Sequence, residues 1–303
     1  MILTQEDMLR RILETKAVSI WNHKTGPIFW YAASIPGPFY VNTELVLGKD
    51  LSSPLLEEIT AIITDIKEPQ ARSEKLEVLI MKAYESNSFF QSIIETMEAQ
   101  IREAFPKGSF SVLSGGERRD WPFSIPLAKK LGIKHAYLFK NGEHYCAKPL
   151  QKGEIAIHVS DLINNAASYF NAWLPILEKN GLSCIGTLCV NSRGSNGVDR
   201  LKKNGQKVIT LNSVDVSFFE SCCEKGLIDQ ATLDELRIFF EAPKKWAAAY
   251  LMGKTELFNA QGIDAKSFDR LCTFFKNDPW ELRPAHEAFF LEIEKAIGAR
   301  QAT

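Results

Sequence analysis

The stretch that decides the fold runs from residue 155 to residue 170 and reads IAIHVSDLINNAASYF. Its first seven residues form a short apolar run that ends on an acidic residue, Asp161, and this pattern predicts a buried β-strand. The polar residues that follow predict a loop that opens a helix. Backbone N–H groups at a helix N-terminus lack intrahelical partners and attract anions. The stretch therefore predicts an anion-binding turn with a carboxylate beside it.

Strands and helices alternate on both sides of this stretch. The segments SFSVLSGG, KHAYLFK, LSCIGTLCVN and KVITLNSV read as strands, because apolar and β-branched residues lie between turn signals. The segments PFSIPLAKKLG, AASYFNAWLPILEKNG and VDRLKKNG between them read as helices. Repeated β-α-β units predict an α/β fold with a mostly parallel central sheet flanked by helices, and ligands at the carboxyl ends of the strands.

The rest of the chain has a different pattern. Apolar spacing after Thr4 predicts a helix over 4–16, and aromatic residues between Pro and Gly predict short strands over 17–47. Residues 51–104 read as a long helical region broken near Pro69. The chain is accordingly divided into an N-terminal helix with short strands (1–50), a helical region with an insertion (51–105), the α/β core (106–217) and a C-terminal helical extension (218–303).

Charge and hydropathy restrict the class of partner. The chain has 303 residues and a formal net charge of -1, without the blocks of like charge that are typical of nucleic-acid or membrane surfaces. No apolar run approaches the roughly 18 residues that span a bilayer. Histidine and cysteine spacings match no metal motif. We therefore expect a cytoplasmic protein that binds a small molecule, with no membrane or nucleic-acid partner and no metal held by the protein.

Four segments, in order, resemble the orotate phosphoribosyltransferase family. Residues 34–48 (SIPGPFYVNTELVLG) resemble the family's S-G-x-x-S-P-x-Y-x-D-x-R segment, and residues 115–132 (GGERRDWPFSIPLAKKLG) resemble its G-G-E-T-A-G-I-P-F-A-A turn and helix. Residues 135–140 (HAYLFK) are similar to the strand that ends in Y-V-R-K, and the opening stretch is similar to V-x-V-x-[DE]-D-x-x-T-[TA]-G-G-S. A weaker similarity covers residues 227–246. The resemblance covers roughly residues 8–247. A helical insertion between about 65 and 100 and the tail after 248 are unmatched.

This resemblance implies a type I phosphoribosyltransferase fold with a small N-terminal hood and extra helices. It implies transfer of a phosphoribosyl group from phosphoribosyl pyrophosphate to orotate or another base, in pyrimidine nucleotide synthesis, with Mg²⁺ bound together with phosphoribosyl pyrophosphate. A homodimer is implied because the family shares a mobile lid between subunits. By position, Lys140 and Asp161 would be catalytic. The implied substrate-binding residues are Tyr40, Gly115, Gly116, Glu117, Arg118, Arg119, Ser160, Asn164, Asn165, Ala166, Ala167 and Ser168.

The phosphate loop departs from the family pattern. Loop positions 163–168 read Ile, Asn, Asn, Ala, Ala and Ser, so both glycines are alanines and an apolar Ile163 replaces a threonine. Asn visits positive φ and donates hydrogen bonds, and Ser168 keeps one hydroxyl, so a modified phosphate site is compatible with the sequence. The acidic pair beside the ribose is reduced to Ser160 and Asp161. Asp161 either faces the ribose hydroxyls or only caps the next helical turn.

The other segments depart as well. The turn after Glu117 has Arg118, Arg119 and Asp120 where the family has Thr, Ala and Gly. The two arginines either clasp phosphate or form surface salt bridges with Asp120 or Glu117. Phe139 replaces an arginine before Lys140, and the following segment, 141–153, is shorter than the family's lid. Glu44 replaces a substrate-side arginine and would repel the carboxylate of orotate by about 1 kcal/mol.

These departures leave three functions open. The first is an orotate phosphoribosyltransferase-like enzyme that acts on orotate or another base. The second is a catalytically silent homologue that acts as a nucleotide-binding or interaction protein. The third is a phosphoribosyl-binding regulator. Changes at several coupled groups count against unmodified chemistry, because such groups share one transition-state geometry.

Overall fold

The computed structural model describes residues 2–22, 28–252 and 264–301. Parts of the predicted N-terminal strand region (23–27) and of the C-terminal extension (253–263 and 302–303) lie outside the described residues. The chain divides into two compact units: Met1–Ala17 with Asn42–Asp215, and Val18–Val41 with Val216–Thr303. The finer division into four segments stays a prediction.

The elements in chain order are as follows. The strands are β1 Val18–Ile20, β2 Phe29–Trp30, β3 Pro36–Gly37, β4 Phe39–Val41, β5 Val112–Gly116, β6 Lys134–Leu138, β7 His144–Tyr145, β8 Ile155–Ile163, β9 Ser183–Arg193 and β10 Lys207–Val214. The helices are α1 Gln5–Glu14, α2 Lys49–Asp65, α3 Pro69–Ser86, α4 Ser88–Ala104, α5 Trp121–Leu131, α6 Leu174–Lys179, α7 Asn196–Lys203, α8 Val216–Glu224, α9 Gln230–Glu241, α10 Pro243–Leu251, α11 Ala265–Asn277 and α12 Arg283–Gln301. A 3-10 turn spans Thr43–Leu47, and a π-helical turn over Tyr169–Trp173 leads into α6.

The first unit is built on a six-stranded sheet of order β10-β9-β8-β5-β6-β7. Its strands pair in parallel, except that β7 is antiparallel to β6. This confirms the predicted α/β core with a mostly parallel sheet. In such a sheet the carboxyl ends of the strands meet at one edge, so the residues after β5 and β6 and at the end of β8 are brought together.

Helices cover both faces of this sheet. Successive side chains of β6 and of the residue after it alternate between two cores, with Ala136 and Leu138 in one and Tyr137 and Phe139 in the other. That alternation places the two cores on opposite faces, because side chains in a strand point up and down in turn. The first core includes the π-helical turn and α6, and the second includes α2, α3 and α5.

The second unit combines short strand pairs with C-terminal helices. β1 pairs with β4 and β2 pairs with β3, both antiparallel. Trp21 and Trp30 from the strand region are buried in the same core as Trp246, Phe274 and Phe290 from the helices. The predicted short strands and C-terminal helices are therefore confirmed, and the two sequence segments share one hydrophobic core.

Several element boundaries differ from the sequence predictions. α1 begins after Thr4, with Asp7 completing the capping box as predicted. Pro69 begins α3, but a further break at Asn87, which caps α4, was not predicted. β8 continues to Ile163, so the prediction that the strand ends at Asp161 is wrong. Among the described residues, no helix is long and apolar enough to cross a membrane.

Candidate functional site

A polar cavity of about 350 Å³ lies at the carboxyl edge of the sheet in the first unit. Segments that are far apart in the sequence contribute its walls: the turn after β5, the residues after β6 and the stretch 160–173. The lining residues are Glu117, Arg118, Arg119, Asp120, Lys140, Ser160, Asp161, Leu162, Asn164, Asn165, Ala166, Ala167, Ser168, Tyr169 and Trp173. Most of the predicted site residues are therefore brought together at one place.

The cavity opens where two adjacent strands separate. The parallel pairing of β5 with β8 ends at the pair Gly115 and Val159. β5 then enters the turn 117–120, in which the peptide bond between Glu117 and Arg118 is cis. The side chains of this turn and of the last residues of β8 are therefore free to face the space between the strands.

Asp120 bridges that separation. One carboxylate oxygen, Oδ2, accepts the Gly116 N–H at 3.0 Å, and the other, Oδ1, accepts the Asp161 N–H at 2.9 Å. The ring nitrogen Nε2 of His158 lies 3.4 Å from Oδ2, and His158 Nδ1 contacts the Ser114 hydroxyl at 2.9 Å. Asp120 is 6% exposed and His158 is fully buried. A buried carboxylate with two backbone donors and an imidazole beside it satisfies the rule that buried charges require partners.

Asp161 occupies an environment that favours its neutral form. Its side chain is buried in the wall of the cavity. Burial, reinforced by the negative charge of Asp120 and opposed by Arg119, raises the pKa of the Asp161 carboxyl to about 8. At pH 7 this group is therefore mainly a hydrogen-bond donor and not a carboxylate. Asp161 lies within β8 and its own N–H donates to Asp120, so the alternative that it only caps a helical turn is wrong.

The loop over residues 164–168 is anchored by α7. The Asn164 carbonyl accepts the Gly197 N–H at 3.0 Å, and the Asn165 carbonyl accepts a hydrogen bond from the Arg200 guanidinium. A side chain at Gly197 would meet the Asn164 carbonyl oxygen at 2.5 Å, so only glycine permits this close approach. Ile163, predicted as a loop residue, is instead the buried end of β8. The loop thus has a fixed position despite its missing glycines.

The backbone of this loop presents few donors to the cavity. Ala166 has φ 57°, a left-handed conformation that costs a non-glycine residue about 1 kcal/mol. The Ala167 N–H donates to the Asn165 side chain at 3.0 Å. Asn164, Asn165 and Ser168 are exposed, so their side chains and the first N–H groups of the following helical turn are the groups left to meet an anion.

Three cationic side chains line the cavity, and they differ in their partners. Arg119 forms an ion pair with Glu44 at 2.6 Å, so the predicted alternative partners, Asp120 and Glu117, are wrong for this residue. Arg118 donates to the Thr60 hydroxyl. The Lys140 ammonium is exposed and makes no ion pair within the described part of the chain. Because Glu44 neutralises Arg119, the positive charge that a ligand would meet in the cavity comes mainly from Arg118 and Lys140.

The segment after Lys140 is a hairpin. β7 pairs with β6, and the Phe139 N–H donates to the Glu143 carbonyl at 3.0 Å. The Arg72 guanidinium, from the inserted helix α3, lies 4.3 Å from the centre of the Phe139 ring and 3.2 Å from the Glu143 carboxylate. Phe139, which replaces the family's arginine, is therefore a buried packing residue that holds the hairpin to α3.

Three predicted substrate-binding residues do not line the cavity. Gly115 and Gly116 lie beneath it, where added side chains would come within 2.0 Å of Ser124 and 2.3 Å of Trp173. The Gly116 N–H is already taken by Asp120. Tyr40 belongs to the second unit, is 38% exposed and contacts Phe29 and Tyr31. A role for Tyr40 in substrate binding stays a prediction. Ser160 lines the cavity, but its hydroxyl donates to the Leu162 carbonyl at 3.3 Å.

Sequence reasoning missed the aromatic wall and the role of Asp120. Tyr169 and Trp173 were predicted only as parts of a helix. Both are buried, and the π-helical turn directs them into the cavity wall. The rings of Tyr169 and Trp173 also enclose His158, with centroid distances of 4.8 and 6.2 Å. A polar His158 inside an apolar strand was the available signal, because a buried imidazole requires a polar partner.

A larger cavity, of about 640 Å³, lies elsewhere in the first unit. Phe110, Ser111, Lys134 and His135 help to line it, so it opens at the amino ends of β5 and β6. Burial lowers the pKa of His135 to about 3, so this imidazole is neutral. Ligands of parallel α/β sheets bind at the carboxyl ends of the strands, which favours the smaller cavity as the functional site.

The residues of the smaller cavity do not fit a metal ion held by the protein. Within the described residues, no group of three or more His, Cys, Asp or Glu side chains is placed to hold one. Asp161 is mainly neutral at pH 7, and both oxygens of Asp120 already accept backbone hydrogen bonds. A hard cation such as Mg²⁺ prefers ionised carboxylate ligands. Mg²⁺ bound together with phosphoribosyl pyrophosphate stays a prediction that these side chains do not support.

A curated sequence is similar to about half of this chain. No protein-family profile matches the chain. The chain is similar to an orotate phosphoribosyltransferase from Roseobacter denitrificans, with 24% identity over 148 residues. The match covers 46% of this chain and 65% of the relative, so it leaves out about a third of that protein.

Solved structures establish the fold. The UMP synthase of Leishmania donovani superposes with a TM-score of 0.51 and 10% identity, over 79% of this chain and 42% of that chain. An orotate phosphoribosyltransferase from Francisella tularensis superposes with a TM-score of 0.50 and 11% identity, over 77% of this chain and 96% of that chain. The chain thus has the type I phosphoribosyltransferase fold, and the predicted resemblance to orotate phosphoribosyltransferases is confirmed.

Proposed function

We propose that the cavity binds the phosphoribosyl group of phosphoribosyl pyrophosphate and that the protein transfers this group to orotate or another base. The observation that supports the proposal is the convergence on one cavity of three of the segments that resemble the family. The turn after β5, the end of β6 and the stretch 160–168 all line it. The lining is polar, contains the cationic side chains of Arg118 and Lys140, and is situated where parallel sheets bind ligands.

Each wall has a role in this proposal. The exposed side chains at 164, 165 and 168, with the start of the helix behind them, would receive the 5-phosphate. Arg118 and Lys140 would face the pyrophosphate, whose negative charge grows as its bond to the sugar breaks, so cations held there stabilise the transition state. Neutral Asp161 would donate a hydrogen bond to a ribose oxygen. Transfer to orotate would form a pyrimidine nucleotide.

Calorimetric titration of the protein with phosphoribosyl pyrophosphate tests the binding step. We expect binding, and we expect Lys140→Gln to weaken it roughly tenfold, because a charge-assisted hydrogen bond is lost. Lys107→Gln is the matched control, since Lys107 is exposed and does not line the cavity. Equal loss in both variants would point to general charge attraction and would contradict the assigned role of Lys140.

Turnover is tested by the decrease in orotate absorbance in the presence of phosphoribosyl pyrophosphate and magnesium. Turnover that is lost in Lys140→Gln supports the proposed transfer to orotate. Binding without turnover on orotate or other bases contradicts transfer and supports the second candidate function.

The second candidate is a catalytically silent homologue that binds a nucleotide or a partner. Two observations favour it: Glu44 neutralises Arg119, and Asp161 is mainly neutral where the family pattern has an acidic pair. Tight binding of orotidine monophosphate in the absence of any turnover would support this candidate. A homodimer and a cytoplasmic location stay predictions for either function.

A further inference from the structure

We infer that Asp120 is a positioning residue that fixes the spacing between the two walls of the cavity. The inference deepens the proposed function. Only its measurement of phosphoribosyl pyrophosphate binding rests on that function. Asp120 replaces a glycine of the family pattern, and from the sequence it is a candidate salt-bridge partner of the neighbouring arginines. Its contacts in the fold are different.

Asp120 links the backbones of β5 and β8 just beyond the point where their pairing ends. The last paired residues of the β5 and β8 ladder are Gly115 and Val159. Beyond them, the N–H groups of Gly116 and Asp161 both point to the Asp120 carboxylate, at 3.0 and 2.9 Å. One side chain thus replaces the missing ladder and holds the two strands apart by the width of a carboxylate.

The two strands that Asp120 links lead into opposite walls of the cavity. Gly116 leads into the turn with Arg118 and Arg119, and Asp161 is itself in the opposite wall. A ligand in the cavity would contact both walls, and its affinity depends on groups held in place before it binds. Movement of the turn away from β8 would separate the cationic groups from Asp161.

The bridge depends on both oxygens of the Asp120 carboxylate. The two backbone N–H groups donate to different oxygens of the carboxylate. Asparagine cannot serve both in this geometry, because its amide nitrogen is a donor. Around the Asp120 carboxylate lie His158, Tyr169 and Cys189, while Arg119 and Cys189 lie near its neighbour Asp161. His158 is held by the Ser114 hydroxyl at 2.9 Å, so the whole bridge is buried and fixed.

Hydrogen exchange tests the inference without any ligand. In the wild-type protein, the Gly116 and Asp161 amides should exchange slowly although the β5 and β8 ladder has ended. In Asp120→Asn, exchange in 112–119 and 156–163 should be roughly tenfold faster or more, because one charged hydrogen bond is replaced by a clash of donors. Asp65→Asn is the matched control, since Asp65 is exposed at the end of α2.

A pH profile separates positioning of Asp161 from a general loss of structure. Because the charge of Asp120 helps to raise the pKa of Asp161, Asp120→Asn should move the titration of Asp161 to lower pH, and Asp65→Asn should leave it unchanged. Affinity for phosphoribosyl pyrophosphate should fall roughly tenfold in Asp120→Asn alone.

The outcomes are distinguishable. Fast exchange of both amides in the wild-type protein overturns the inference, even if the variant does not fold. Unchanged exchange in a folded Asp120→Asn overturns it as well. A wild-type protein that binds no phosphoribosyl pyrophosphate refutes the proposed function, whereas slow exchange that depends on Asp120 still supports the positioning role.

Discussion

The protonation of Asp161 gives the stability of this protein a defined dependence on pH. The carboxyl is buried in the cavity wall near Asp120, and these surroundings raise its pKa from an ordinary 3.8 to about 8 in the folded chain. Between these values the folded protein binds one proton at Asp161 that the unfolded chain has released. Stability from this group is therefore complete below pH 3.8 and is lost as the pH rises towards 8.

The size of the effect follows from the proton count. One extra proton bound in the folded state makes the free energy of unfolding fall by about 1.4 kcal/mol per pH unit. Between pH 6.0 and pH 7.5 the loss is about 2 kcal/mol. Asp161→Asn cannot titrate, so the difference in unfolding free energy between wild type and variant should change by that amount over this range.

Urea denaturation at several pH values measures this difference. The matched control is Asp65→Asn, which removes an exposed carboxyl at the end of α2 and should show a difference that is nearly independent of pH. A difference for Asp161→Asn that also stays flat from pH 6.0 to pH 7.5 would refute the reasoning. It would mean that Asp161 is already ionised in the folded protein, and the assignment of a neutral hydrogen-bond donor in the cavity would fall with it.

Two backbone positions allow further predictions. Ala166→Gly should leave the free energy of unfolding unchanged or raise it by up to about 1 kcal/mol, because the φ of 57° is strained for alanine. Ala167→Gly, in the first helical turn, should lower the free energy of unfolding by about 0.5–1 kcal/mol. A larger loss at 166 than at 167 in urea denaturation would contradict this. Gly116→Ala should cost about 1–3 kcal/mol because the new Cβ would lie 2.3 Å from the Trp173 ring. Gly298→Ala, in a helix with open space around it, should be neutral or stabilising, and equal melting temperatures for the two variants would argue against a tight contact at Gly116.

The state of each cavity residue depends on neighbours from other segments. Arg119 is neutralised by Glu44, which lies more than 70 residues earlier in the sequence. From the sequence, Glu44 appeared as a source of repulsion for an acidic substrate. In the fold its charge is directed at an arginine, so its main effect is to reduce the positive charge available at the turn.

Local sequence signals predicted the elements of the core well. Strand and helix periodicity located β5, β6, β8, β9 and β10, and Gly132 ends α5 in the left-handed conformation expected of a helix C-cap. The mostly parallel sheet followed from the alternation of these elements, and it predicted that the residues at the strand ends would meet. These features depend on contacts between residues that are close in sequence or on general rules of chain topology.

The sequence by itself therefore determined the fold and the position of the cavity, since the order of strands and turns fixes which residues reach one edge of a parallel sheet. It did not determine what the polar groups there do. Asp120 bridges two strands, Asp161 holds a proton and Arg119 is paired with Glu44 only because tertiary contacts bring those groups together. Burial and the charge of near neighbours set the protonation and hydrogen bonding of such groups, and both depend on residues that are distant in the chain.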